Sequence, residues 1–330
     1  MSIKSFIKKK FINESHPLLW SLWCSRMERR LSKMERKALA RYKRHSHMNY
    51  AEIEAQLGAE YERVFGRKLN WDNPQTYNEK INVSKVYMPT PEKTRLTDKY
   101  LVREWIREKI GDEYLIPLLG VYASFDEIDF ASLPDKFVMK CNHDSGSVTL
   151  VSDKSTIDMK ALGRKYDFHM RTNYAWTGFE MHYRDIKPRI IIEQYMGDAN
   201  NDYKFLCFDA RPYYCWVDFD RFTKHTRNFY SLDWERQPFS LLYSNNPKDP
   251  ERPSRFDEMK KIAERLCEEF AQVRVDLYFI SGKIYFGEMT FTSEDGFGKL
   301  TPDEWDYKLG ALWQFDNTVR RKVLAEHSKP

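Results

Sequence analysis

The stretch VRVDLYFISGKIYFGEMTF, Val273 to Phe291, constrains this chain more than any other. Two alternating apolar runs flank Ser281-Gly282-Lys283, the pattern of a β-hairpin that turns on a glycine. With a three-residue loop, Ile280 faces Ile284. That register sets Asp276 opposite Glu288 and Arg274 opposite Thr290, with all four side chains on one face. Carboxylates directly opposite on a sheet, about 5 Å apart, repel and weaken the pairing. A hard divalent cation held by oxygen ligands would compensate, and so would Arg274 acting in an ordinary surface network. A two-residue loop would slip the register by one and send the two carboxylates to opposite faces.

Strand patterning extends beyond the hairpin, over residues 136–151, 189–196, 203–219 and 272–292. An amphipathic helix (Met259, Ile262, Ala263, Leu266, Phe270) precedes the last group, and the mixture predicts an α+β fold. AEIEAQLGAEYERVFG reads as helix and WDNPQTYNEK as a polar stretch broken by proline. In TDKYLVREWIREKIG, Leu101, Val102, Trp105, Ile106 and Ile110 recur at helical spacing, with Thr97 as the cap and Gly111 as the stop. Lys99 then falls in the first turn, against the partial positive charge of a helix start. A bound anion would make that placement favourable.

Charge separates the N-terminus from the body. The first 50 residues carry 13 Lys/Arg against 3 Asp/Glu, a net of +10, whereas the whole chain is +5 and the remainder therefore −5. Within residues 1–48, Trp20 and Trp23 beside Leu18, Leu19 and Leu22, flanked by Lys and Arg, suit a helix lying on an anionic membrane surface. They equally suit a helix packed on the body with a solvated charged face. No nucleic-acid motif accompanies the charge, so nucleic acid is not expected as a partner. No run approaches the roughly 18 apolar residues of a spanning helix, and no export signal is legible. Five scattered cysteines (24, 141, 207, 215, 267) form no CxxC pair, which favours a reducing cytoplasm over a disulfide framework or zinc site.

The window FVMKCNHDSGSVTLV places Lys140, Cys141, His143, Asp144, Ser145, Gly146 and Ser147 together. It admits a Cys/His nucleophile, a metal site or a phosphate loop. Lys140 ends a strand, and the amides of a Ser-Gly-Ser loop can bind phosphate. Lys140 and Lys204 both sit in otherwise apolar strands, where an unpaired charge is costly and a polyphosphate would satisfy them. The loop is neither a Walker A sequence nor GxGxxG.

Taken in order, TDKYLVREWIREKIG, DEYLIPLLGVYASFDEIDF, LPDKFVMKCNHDSGS, KPRIIIEQYM, DYKFLCFDARP, DRFTKHTRNFYSLDW and VRVDLYFISGKIYFGEMTF resemble the ATP-grasp enzymes. Over roughly residues 60–315 the chain is most similar to the TupA-like group, associated with teichuronopeptide and other surface-polysaccharide synthesis. The resemblance implies an ATP-grasp fold in which two α+β subdomains clasp ATP. The corresponding division is a basic helical segment (1–50), a helical region (51–127), a subdomain with the phosphate loop (128–196) and a subdomain with the metal hairpin (197–330). By position, Lys99 and Lys140 would contact ATP phosphates under a mobile Ser145-Gly146-Ser147 loop. Glu193, Gln194 and Met196 would line the adenine hinge, with Asp202 toward the ribose and Lys204 beside the phosphates. Asp276 and Glu288 would hold Mg²⁺, with Arg274 steadying transferred phosphoryl charge. Many members of the wider class carry Asn where this chain has Thr290, so the carry-over stops at two metal ligands. In this reading Cys141 is a small buried hydrophobe, and His143 and Asp144 are loop or substrate-facing residues.

The implied reaction is carboxylate activation: ATP phosphorylates a carboxylate, an amine attacks the acyl phosphate, and an amide forms without a protein nucleophile. The polysaccharide link suggests an amino acid or amine joined to a uronic-acid carboxylate. Arg221, Lys224, His225 and Arg227 are candidates for the anionic substrate or the γ-phosphate. Two other readings stand beside this one. Asp218-Phe219-Asp220 is a D-x-D of the kind glycosyltransferases use, and a membrane-surface assembly factor could retain an inactive nucleotide fold.

Overall fold

The computed structural model describes residues 33–197, 201–219 and 224–327. The expected tryptophan-bearing helix around Trp20 and Trp23, together with Cys24, Asp220 and Arg221, lies outside the described residues. By its contacts the chain divides into residues 1–48 and residues 49–330. In the first unit, residues 33–45 are helical. In the second, helix α1 (Tyr50–Phe65) starts at a capping box, in which Asn49 and Glu52 satisfy each other's backbone amides. It stops at Gly66, where φ is +69°.

Helix α2 (Tyr77–Tyr87) is the surprise of the helical region. The polar stretch around Pro74 closes at Thr76, whose side chain caps the helix in a second capping box with Glu79. Every residue of α2 is buried, including Asn78, Glu79, Lys80, Asn82, Ser84 and Lys85. Burying so many polar groups is tolerable only if each finds a partner. Lys80 Nζ donates to the carbonyls of Gly310 and Trp313 at 2.8 and 2.7 Å. Lys85 Nζ donates to the carbonyl and carboxylate of Asp295 at 2.7 and 2.8 Å. Asn78 Nδ2 donates to Asp306 and Gly298, and Asn82 Nδ2 to Gly296.

Helices α3 (Pro91–Thr97) and α4 (Val102–Lys109) correct the single helix expected to begin at Thr97. Thr97 ends α3 rather than capping the next helix. Asp98 instead accepts the amides of Tyr100 and Leu101, at 2.8 and 3.2 Å, and so holds the turn between the two helices. Lys99 lies in that turn, and Leu101 is exposed while Val102, Trp105 and Ile106 face the core.

Two antiparallel sheets follow. The first has the order β1 (Leu118–Tyr122), β4 (Ile190–Gln194), β2 (Phe137–Cys141), β3 (Thr149–Val151). Helix α5 (Met159–Met170) packs Leu162 and Tyr166 on its apolar residues Phe137, Met139, Ile190 and Ile192. The second has the order β10 (Lys283–Thr290), β9 (Gln272–Ile280), β5 (Asn201–Phe208), β6 (Arg211–Phe219), β7 (Thr226–Ser231), while the short strand β8 (Ser240–Leu241) pairs outside it with Leu300 and Thr301. Helix α6 (Phe256–Cys267) covers one face of this sheet with Phe256, Met259, Ile262, Ala263 and Leu266, the four larger side chains each worth about 1.5–3 kcal/mol of apolar burial. On the other face, Leu206, Trp216 and Phe229 join a second core with Trp305 and Leu309 of α7 (Glu304–Ala311). The same face also carries the charged residues Arg274, Asp276, Glu288, Lys204, Asp202, Asp218 and Arg227.

The β9–β10 hairpin keeps the expected pairing by another route. Its loop is the two residues Ser281 and Gly282, at φ +49° and +79°, so Ile280 pairs with Lys283 and Ile284 with Phe279. That register alone would separate the carboxylates. An extra residue, Gly287, bulges out between Phe286 and Glu288 and restores Asp276 opposite Glu288 and Arg274 opposite Thr290. A Cβ at position 287 would meet the Asp276 carbonyl oxygen at 3.0 Å, so the bulge sits where glycine fits most easily.

Candidate active site

The charged face of the second sheet is a ladder set by register. Glu288 of β10, Asp276 of β9 and Lys204 of β5 are cross-strand neighbours. So, one row along, are Asp202 of β5, Asp218 of β6 and Arg227 of β7. Arg274 Nε and Nη2 grip both oxygens of Asp276 at 2.6 and 2.7 Å, and Nη2 reaches Glu288 at 2.8 Å. Thr290 donates its hydroxyl to the same Glu288 oxygen at 2.9 Å. Lys204 Nζ lies 2.8 Å from Asp276 and also pairs with Asp202. Asp276, Lys204 and Arg274 are buried, whereas the Glu288 side chain is 42 % exposed. Burial opposes the Glu288 charge, but Arg274, Lys99 and Lys204 prevail and hold its carboxyl down at about 2. Arg274 therefore does neutralise the carboxylate pair, as a buried bridge and not as part of a surface network.

Lys140 and Lys204 are not the unpaired strand charges expected. Lys140 Nζ lies 2.6 Å from Glu193, which Arg103 approaches from the other side at 3.4 Å. Lys99 Nζ donates to the Asp144 carbonyl at 2.5 Å, and its backbone amide to that of Asn142. Lys99, Arg103, Lys140 and Glu193 line a narrow cleft with about 20 Å³ of free volume, bordered also by Tyr278, Phe286 and Gly287 of the hairpin. Arg103 and Tyr278 were not singled out in the sequence. Both look like ordinary helix and strand residues until the two sheets are brought together.

The loop after Lys140 divides at its glycine. Ser145 and Gly146 are exposed, with Gly146 at φ +104°, and Ser147 is buried. The Ser147 hydroxyl donates to Asp144 at 2.5 Å and accepts the Cys141 amide at 2.8 Å, so it pins the loop instead of facing a ligand. Asp144 also pairs with His169 Nδ1 at 2.5 Å, and His143 Nε2 lies against the carbonyls of His169 and Thr172. Both side chains are buried within the loop. Cys141 is fully buried, which pushes its thiol up to about 12, and the four described cysteines are all free and buried. Gln194 is exposed at the end of β4, with Met196 half-buried just beyond it.

Of the proposed substrate cations, Arg227 is committed elsewhere. It binds Asp218 through Nε at 2.6 Å and Nη2 at 3.2 Å, and Glu294 through Nη1 at 2.6 Å. His225 Nε2 lies 3.0 Å from Asp218, and Lys224 is exposed. Asp218 thus has Arg227 and His225 as its partners.

The loop after the hairpin was also missed. Glu294, Asp295 and Gly296 all have positive φ, and their neighbour Thr292 donates its hydroxyl to the buried Glu180. Burial, reinforced by Asp295, raises the Glu180 carboxyl to about 8, with Thr292 and Lys85 opposing only in part. Because the folded value exceeds the ordinary 4.5, this group's stabilisation is complete below about pH 4.5 and is lost as pH rises through about 8. Urea unfolding between pH 6 and 9 should show that decline, and Glu180→Gln should flatten it.

Among the described residues no three His, Cys, Asp or Glu side chains cluster as metal ligands. The pair Asp276 and Glu288 nevertheless fits Mg²⁺ in a site shared with phosphate. The donors are oxygens, Glu288 is ionised and half-open, and Mg²⁺ commonly takes one or two carboxylates plus phosphates and water.

Two antiparallel sheets closing on a lysine-lined cleft, one of them carrying a carboxylate hairpin, define an ATP-grasp protein. The family model described as TupA-like ATPgrasp matches residues 79–314, and the chain belongs to that family. No curated protein matches the sequence. Similar solved structures include a D-alanine–D-alanine ligase from Bacillus anthracis complexed with ATP (16% identity, 60% of this chain and 55% of that one, TM-score 0.38). An L-amino acid ligase from Bacillus licheniformis is also similar (11%, 76% and 57%, TM-score 0.43). So is an N5-carboxyaminoimidazole synthetase from Staphylococcus aureus complexed with ADP (12%, 59% and 43%, TM-score 0.32). The chain thus spans little more than half of the first ligase's length, and these likenesses concern the fold alone. Among the described residues no helix is long and apolar enough to cross a membrane.

Proposed function

We propose that the protein is an ATP-dependent carboxylate–amine ligase that joins an amine or amino acid to a uronic-acid carboxylate in cell-surface polysaccharide synthesis. The observation that carries this reading is the Arg274–Asp276–Glu288 network on the hairpin whose other residues border the Lys99–Lys140 cleft. Lys99 and Lys140 hold the ATP phosphates, with the Ser145–Gly146 tip over them. Glu193 and the end of β4 through Gln194 and Met196 border the base, and Asp202 lies toward the ribose. Asp276 and Glu288 hold Mg²⁺, which when bound offsets phosphate charge. Arg274, fixed by Asp276, is aimed at the charge that develops on the transferred phosphoryl group. Lys204 keeps Asp276 and Asp202 in place. Catalysis on this account is positioning and electrostatics. The division at 128–196 and 197–330 assigns β2, β3 and β4 to one half of the clasp and the whole second sheet to the other, with β1 lying just before the boundary.

Family membership supports the ligase chemistry, and the polysaccharide role rests on the group's association with surface glycans. The net +10 of the first 50 residues supports docking of residues 1–48 at the cytoplasmic face of an anionic membrane. With MgATP, uronic acids and nucleotide-activated uronic acids as carboxylates, and amino acids as amines, mass spectrometry should detect an amide with matching ADP and phosphate. Sugar transfer from a nucleotide sugar without ATP turnover would refute the ligase reading.

A further inference from the structure

The pair His225–Asp218 has no role in the account above, and its construction is that of an acid–base group. Asp218 is sealed, its side chain 1 % exposed, while His225 in front of it is 17 % exposed. Burial opposes the Asp218 charge, yet Arg227 and Lys204 hold the carboxyl well below the usual range. A permanent carboxylate therefore lies 3.0 Å behind His225 Nε2. Nε2 is the buried nitrogen of the ring, and its contact with the carboxylate is bent, not an aligned hydrogen bond. A proton on Nε2 is stabilised by that charge, which leaves the lone pair on Nδ1. The ring is held by Tyr243, centroid to centroid 3.7 Å. The charged or titratable groups around it are Asp218 on β6, Arg227 on β7, Tyr243 after the short strand Ser240–Leu241, and Glu294 in the loop after β10, which reaches the cluster through Arg227.

The pair also lies beside the proposed phosphoryl-transfer site. The guanidinium carbons of Arg274 and Arg227 both lie over the Trp216 indole, at 5.2 and 4.7 Å. Asp218 is the direct cross-strand neighbour of Asp202, and adjacent strands are about 4.8 Å apart. An acceptor placed beside the carboxylate hairpin on this face thus has His225 along its flank.

We propose that His225, oriented by Asp218, accepts the proton of the attacking amine; this rests on the ligase reading. The lone pair of the neutral amine forms the C–N bond to the acyl carbon. The C–O bond to phosphate breaks, and its electron pair leaves on the phosphate oxygen. The surplus proton on nitrogen passes to His225 Nδ1, and Asp218 stabilises the imidazolium. His225 is the catalytic residue and Asp218 its positioning residue. Such general-base assistance contributes about 10²–10⁴-fold.

Hydroxylamine tests this, because it attacks acyl phosphates unprotonated near neutral pH and needs little help from a base. The full-length protein is supplied with MgATP, with glucuronic acid or UDP-glucuronic acid as the carboxylate probe, and with glycine or hydroxylamine. His225→Ala should lower the ratio of amide to hydroxamate by about 10²–10⁴-fold, and added imidazole should recover part of the amide. If His225→Ala melts early, His225→Gln, which retains a flat polar side chain, is judged on the same ratio. Equal loss of both products, or an unchanged ratio, overturns the proposal while the ligase reading stands. Neither product from the wild type on any probe overturns the ligase reading and this proposal with it.

Discussion

Glu288→Gln is expected to lower ATP turnover by about 10²–10³-fold, the worth of several kcal/mol of electrostatic stabilisation, with little change in melting temperature. The split follows from geometry. Glu288 is half-exposed, and a glutamine carbonyl can still accept from Thr290 and Arg274. What the amide cannot supply is the negative charge that a cation between hairpin and phosphates requires. Asp276→Asn should cost as much activity and stability as well, because Asp276 is the one buried carboxylate shared by Arg274 and Lys204. Phosphate release and thermal melts on the two variants separate the effects. Unimpaired Mg²⁺-dependent turnover in Glu288→Gln would remove the hairpin from the proposed site.

The largest stability effect is expected at Arg227. Arg227→Met removes the guanidinium that meets Asp218 and Glu294 while burying a chain of similar length. Asp218 is then a sealed carboxylate whose remaining close partner is His225. Breaking a buried pair from one side costs about 3–5 kcal/mol, whereas replacing both members by apolar groups costs far less. Urea unfolding at neutral pH should register a loss in that range. Adding Asp218→Leu to Arg227→Met should recover part of it. The single variant should also regain stability as pH falls, because Asp218 can then take up a proton. Near-wild-type stability of Arg227→Met would mean that the pair contributes little to the fold.

The sequence disclosed the face and pairing of the hairpin, but not where its extra residue sits. Reading outward from Gly282 placed that residue in the turn, and the structure places it at Gly287. The pairing of Asp276 with Glu288 is the same either way, because the burial of Val275, Leu277 and Ile284 on the α6 side fixes which residues turn inward. Lys140 and Lys204 drew attention as charges in apolar strands. Lys204 has one carboxylate partner, Asp202, on its own strand, but Glu193 and Asp276 come from other strands, and periodicity within one strand cannot reveal those two. Asp98, not Thr97, holds the turn before α4, a contest between adjacent residues that propensity does not decide. Helix α2 was illegible for a sharper reason. Hydrophobic periodicity finds helices that bury an apolar stripe, and α2 buries a polar one.

That polar helix also has a bearing on how the chain is made. The carbonyls and carboxylates that α2 needs come from residues 295–313, more than two hundred positions further along. Synthesis runs from the N-terminus and long-range contacts form late, so both sheets have left the ribosome before Lys80 or Lys85 can find a partner. An apolar helix kept waiting that long would be adhesive. One bearing Asn78, Glu79, Lys80, Asn82, Ser84 and Lys85 stays hydrated until the C-terminal segment arrives and closes over it.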